Sequence, residues 1–90
     1  MKRSMVIMKK ATEFEFTLVA RFARDEDEQG RITYGLKIVE DWGDGHCTHR
    51  KSISFGNDKA RADGWYRDLK RDGYVLSKSY SLEPSQMDVR

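Results

Sequence analysis

A single cysteine, Cys47, is too few for an internal disulfide and suits a reducing cytoplasm. A single proline, Pro84, falls near the end and interrupts nothing before it. No apolar run approaches the roughly 18 residues of a membrane span. The first residues also lack the signal-peptide apolar region of about 7 to 15 residues. Repeats, low-complexity tracts and linkers are missing too, and so is any acid before Glu13. These absences lead to the expectation of one soluble, cytoplasmic unit with no membrane partner.

What is there is charge and aromatic side chains. The chain is 36% charged and 38% hydrophobic, and its ten aromatics are spread along its length, which argues for a packed core. Ninety residues fit one domain, which buries only about 60% of its unfolded surface. The formal net charge of +2 is unevenly distributed. Without Lys2, Arg3, Lys9 and Lys10 the remainder carries 13 basic against 15 acidic residues. Nucleic-acid binders carry a basic excess on the folded body, so this balance argues against that class. The division expected is a flexible basic N-terminal segment over 1–12, a single domain over 13–82 and a tail over 83–90. Met8 followed by two lysines also reads as a second possible start.

Period-two alternation marks strands. In EFEFTLVARFA, Phe14, Phe16, Leu18, Ala20 and Phe22 fall on one face, with Glu13, Glu15, Thr17 and Arg21 on the other. After an acidic turn, RITYGLKIVE places Ile32, Tyr34, Leu36 and Ile38 inward and Thr33 and Lys37 outward, which makes a hairpin. DWGDG is a second turn. HCTHRKSISF is a less regular third strand whose first half is an exposed end or carries a bulge. The period then changes: Ala62, Trp65, Tyr66 and Leu69 form one helical stripe. Asn57 or Asp58 can cap its start, and Gly73 suits its end. Asp63 and Arg67 have the spacing of a helical ion pair, and Gly64 suggests close approach to the sheet. YVLSKSYSL alternates once more. The expected fold is α+β: a two-layer sandwich with a mainly antiparallel four-stranded sheet and one helix, in the order β-β-β-α-β.

His46, Cys47 and His49 cluster in GDGHCTH, with Asp44 beside them. Zinc needs three or four converging ligands, but on a strand Cys47 and His49 share one face while His46 points to the other. The cluster is read as a strand start, with no metal and no cofactor, and Cys47 as a small buried side chain. Catalysis by Cys47 would need His49 as its base and an orienting partner. Glu13, Glu15, Glu40, Asp41 and Asp44 gather at one end of the hairpin. Asp25, Glu26, Asp27 and Glu28 lie at the other. Acidic patches of this kind speed encounters with basic grooves, and Trp42 could serve as an anchor.

From ITYGLKIVED through the IS strand end to YSLEPSQMDV, over residues 31–89, the chain is similar to an uncharacterised family of small Firmicutes proteins. That resemblance implies no activity. In general type, small and charge-rich, the chain also resembles the anti-CRISPR proteins of phages and mobile elements. That resemblance implies an inhibitor whose carboxylates stand in for phosphates.

The function expected is therefore a non-enzymatic protein-binding domain, an inhibitor that occludes a nucleic-acid-processing effector such as a nuclease with a basic groove. Its candidate contacts are Asp25, Glu26, Asp27, Glu28, Glu40, Asp41, Trp42 and Asp44. Two alternatives stand beside it. One is a nucleic-acid-binding regulator using Arg21, Lys37, Arg50, Lys51 and the N-terminal arm; the other is a small enzyme centred on Cys47 and His49. Monomer and edge-paired dimer are both open.

Overall fold

The alternating stretches TLVARFARDE and ITYGLKIVED fold as two ten-residue strands, β2 (Thr17–Glu26) and β3 (Ile32–Asp41), paired antiparallel across a tight turn. This computed structural model describes residues 2–82. The other elements are β1 (Lys2–Ala11), β4 (Cys47–Gly56), α1 (Lys59–Arg71) and β5 (Val75–Leu82). All five strands form one antiparallel sheet in the order β4-β3-β2-β1-β5, with α1 on one face. The α+β, two-layer class is as the sequence implies. The strand count is five rather than four.

The extra strand is β1, so residues 2–11 are a fully paired strand and not a flexible basic arm. Its apolar run Met5-Val6-Ile7-Met8 does not alternate: Val6 and Met8 face the helix side, while Met5 and Ile7 put apolar side chains on the opposite face beside Ala23 and Arg21. Met8 is completely buried at the centre of the core, with Ala20, Leu36, Ile38 and Phe55. Burying such a side chain contributes about 1.5 to 3 kcal/mol.

Leu18, Ala20 and Phe22 join the helix-facing core as the alternation requires. Phe14 and Phe16 do not. They belong to the β1–β2 turn, where Thr12 Oγ1 donates to the Phe16 carbonyl at 2.6 Å and accepts from the Phe14 N–H at 3.1 Å. The pattern runs on past the strand's real start and into the turn.

The β3–β4 pairing slips at two places, between Tyr34 and Gly35 and between Ile38 and Val39. These irregularities let Ile53 and Phe55 reach the core while the first half of β4 stays exposed.

Asp58 caps α1, its side chain accepting from the Arg61 N–H at 3.0 Å. The other end closes on Gly73 at φ +106°, with Gly73 N–H donating to the Lys70 carbonyl and Tyr74 N–H to that of Leu69. Leu69 and Tyr74 are both buried there. The helix packs over β3 and β4, leaving Leu76 half-exposed on β5. Asp63 pairs with Lys59 at 2.7 Å rather than with Arg67. A Cβ on Gly64 would meet only the tip of the Arg67 side chain at 4.0 Å, so close sheet contact does not explain this glycine. The expected tail over 83–90 lies outside the described residues.

Candidate functional site

The His-Cys-His stretch is spread out by its backbone. Cys47 and His49 pair with Asp41 and Val39 of β3, and His46 sits in the preceding turn. His49 Nε2 lies 2.8 Å from Ser52 Oγ, so its ring is engaged along its own strand. Cys47 is exposed, not buried as its residue type suggested. Among the described residues no group of three or more His, Cys, Asp or Glu side chains converges to hold a metal ion.

The acidic residues are separated into two ends of the sheet, roughly 30 Å apart along ten-residue strands at about 3.4 Å per residue. At one end most carboxylates have internal partners. Arg3 Nε and Nη2 donate to the two Asp25 oxygens at 2.6 and 3.0 Å. Glu26 lies 3.8 Å from Arg24. Asp27 Oδ1 accepts from the Gln29 and Arg31 N–H groups, and Oδ2 accepts from Arg31 Nε at 2.8 Å. The Arg31 N–H, foremost among these contacts, holds the Asp27 carboxyl below its usual range. Glu28 stays exposed. These acids build a turn and neutralise arginines.

The opposite end differs. Asp41 Oδ1 accepts from Gly43 N–H and Asp44 Oδ1 from His46 N–H, and Trp42 N–H donates to the His46 carbonyl at 3.0 Å. Gly43 and Gly45, at φ +84° and +85°, let the turn close. Glu40 lies 3.5 Å from Arg50. Trp42 packs on Phe16 with ring centroids 4.9 Å apart, and Phe16 stacks on Phe14 at 5.8 Å. Phe14 is 68% exposed and Trp42 38%. Three aromatic rings from two turns thus form one surface cluster, with exposed Glu13, Glu15 and Asp44 in the same turns. Phe14 and Phe16 were assigned to the core from sequence. The signal that separates them is Thr12, whose hydroxyl can close a turn over the next four residues.

Arg21 and Lys37 are cross-strand partners on the sheet face away from α1. Arg50 and Lys51 are not with them: Arg50 reaches Glu40, and Lys51 lies over the Trp65 ring at 5.1 Å. Between α1 and the sheet is a cavity of about 320 Å³, floored by Val6, Phe22, Tyr34 and Tyr66. The charged groups at its rim are paired, Arg24 with Glu26 and Lys59 with Asp63. Among the described residues no helix is long and apolar enough to cross a membrane. No family model, no curated protein and no solved structure matches this chain.

Proposed function

We propose that this protein is a non-enzymatic binding domain that docks a protein partner through the Phe14, Phe16 and Trp42 end of its sheet. The observation that carries this reading is the exposure of a stacked aromatic cluster held on two hydrogen-bonded turns. Aromatic side chains on a rigid base supply interface energy at little entropic cost, and exposed clusters of them mark interaction sites. Glu13, Glu15 and Asp44 around the rings favour a basic partner surface. A nucleic-acid groove of an effector enzyme is a surface of that kind, and an inhibitor that occludes it is the specific role we assign. Trp42, Asp41 and Asp44 keep their place in this site. Asp25, Glu26 and Asp27 are occupied by arginines at the far end and are not part of it.

The test is affinity capture from nuclease-treated bacterial lysate, comparing the native protein with Phe14→Ser/Trp42→Ala and with Asp25→Asn/Glu28→Gln. A partner held by the native chain and the second variant, but reduced at least tenfold with the first, is expected; an aromatic hot spot is worth about 2 kcal/mol or more. Equal recovery with all three chains refutes the docking site.

A further inference from the structure

The sheet face away from α1 carries three cations, Lys9, Arg21 and Lys37, that are in no ion pair with the described residues. Register pairs Lys78 of β5 with Ile7, Ile7 with Arg21, Arg21 with Lys37 and Lys37 with Ser52, so one row crosses all five strands. Lys9 lies in the next row, beside Val19, Val39 and His49. At about 4.8 Å between strands, Arg21 and Lys37 leave the backbone as immediate neighbours, with Lys78 about 10 Å from Arg21. Lys9, Arg21 and Lys78 line one shallow depression with Asp41, which accepts from the Gly43 N–H, and Arg21 and Lys37 line another, whose one carboxylate, Asp25, is paired with Arg3.

This arrangement differs from the basic residues elsewhere. Arg3, Lys10, Arg24, Arg31, Arg50, Lys59 and Arg71 are in ion pairs. Lys51, Arg61 and Lys70 cover aromatic rings on the helix side. Lys9, Arg21 and Lys37 have neither kind of partner among the described residues. Like charges directly opposite on adjacent strands are destabilising. Val19 and Val39 lie on this face and are each only 4% exposed. Lys9 and Arg21 line one depression with Val19, and long cationic side chains can lay their stems on such apolar surface with the charge in water.

From this geometry we infer that the open sheet face binds the phosphate backbone of nucleic acid, with Lys9, Arg21 and Lys37 as the contacts. The strand β1 restores Lys2, Arg3, Lys9 and Lys10 to the folded body, so the balance that counts is that of the whole chain, 17 basic against 15 acidic side chains. The compositional objection to nucleic-acid binding is thereby removed. Among the described side chains the aromatic rings pack toward the helix or sit in the turns, and none of them stands on this face. It reads charge spacing rather than sequence. Phe14, Trp42 and Leu76, which a membrane surface would use, lie outside the band. Nucleic acid is therefore favoured over anionic lipid.

The test is fluorescence anisotropy with a labelled 20-base-pair duplex of arbitrary sequence. With three phosphate contacts the plot of log affinity against log salt has a slope of about −2.7, roughly a fortyfold loss between 50 and 200 mM salt. Arg21→Ala/Lys37→Ala reduces the slope by about 2 and weakens binding at least tenfold. Lys70→Ala/Arg71→Ala, which removes the same charge from α1, changes affinity less than threefold. Phe14→Ser/Trp42→Ala leaves duplex binding intact, which keeps this proposal separate from the docking site. No binding at 50 mM salt, equal losses in the two paired-alanine variants, or binding to phosphatidylserine vesicles without binding to duplex would each overturn it.

Discussion

At the scale of single residues, Tyr74 and Gly64 make the most direct predictions. Burial, together with the nearby Asp72 carboxylate, raises the Tyr74 hydroxyl above its ordinary value, while Arg50 acts weakly the other way. In the unfolded chain it ionises at the ordinary tyrosine value of about 10. The folded form keeps its proton to higher pH, so its stabilising effect is complete below about pH 10 and is lost as pH rises through the folded value. Absorbance titration near 295 nm should resolve one tyrosine ionising later than the rest, and Tyr74→Phe should remove that late phase. A late phase that persists in the phenylalanine variant contradicts the assignment. Gly64 sits inside α1 with open space where a Cβ would go. Gly64→Ala should therefore stabilise the protein by about 0.5 to 1 kcal/mol in urea unfolding. A loss of stability there would reveal a contact that the geometry does not contain.

At the scale of elements, legibility depended on where each strand sits in the sheet. β2 and β3 present one face to the helix and one to the open side, so alternation disclosed which of their residues point inward. The helix was legible from its stripe, its Asp58 cap and Gly73, and the irregularity of β4 from His49 and Lys51 at nominally inward positions. β1 was missed because KRSMVIMKKA has charges at both ends and an unbroken apolar centre, and so lacks the alternation that marks β2 and β3, although it is as long as either. Met5 and Ile7 put apolar side chains on the open face, opposite Ala23 and Arg21, so no period-two signal survives at the strand's centre. The consequence is testable. A chain begun at Met8 loses six residues that pair with β2, five of which also pair with β5, and uncovers Met8, the largest fully buried side chain of the core. It should be unfolded by circular dichroism at 25 °C. Met8→Ala in the full chain should cost about 2 to 5 kcal/mol. A cooperatively folded truncation would mean that β1 is dispensable.

At the scale of the whole molecule, the charge pattern was legible as a list of residues but not as surfaces. Asp25, Glu26, Asp27 and Glu28 look like a patch in sequence, yet Arg3, Arg24 and Arg31 come from three separate segments to occupy three of them. Pairing across the sheet has the reverse effect on Arg21, Lys37 and Lys9: residues far apart in sequence become one band, while Arg50 and Lys51, grouped with them from sequence, turn elsewhere. That band crosses the strands at mid-sheet, while the aromatic cluster and Glu13 and Glu15 lie at the strand ends, roughly 13 Å away at about 3.4 Å per residue. A duplex laid along the band is repelled by these two glutamates, whereas a basic protein docked on Trp42 is attracted by them. Glu13→Gln/Glu15→Gln should therefore act with opposite sign on the two activities, strengthening duplex binding by a few-fold and weakening capture of the protein partner. With a Debye length of about 10 Å at 0.1 M salt, the gain toward duplex should be visible at 50 mM and largely gone by 300 mM. Anisotropy and affinity capture on the same preparation measure both. If both activities move in the same direction, a single surface serves them, and the division of this sheet into a phosphate-binding face and an aromatic docking end is wrong.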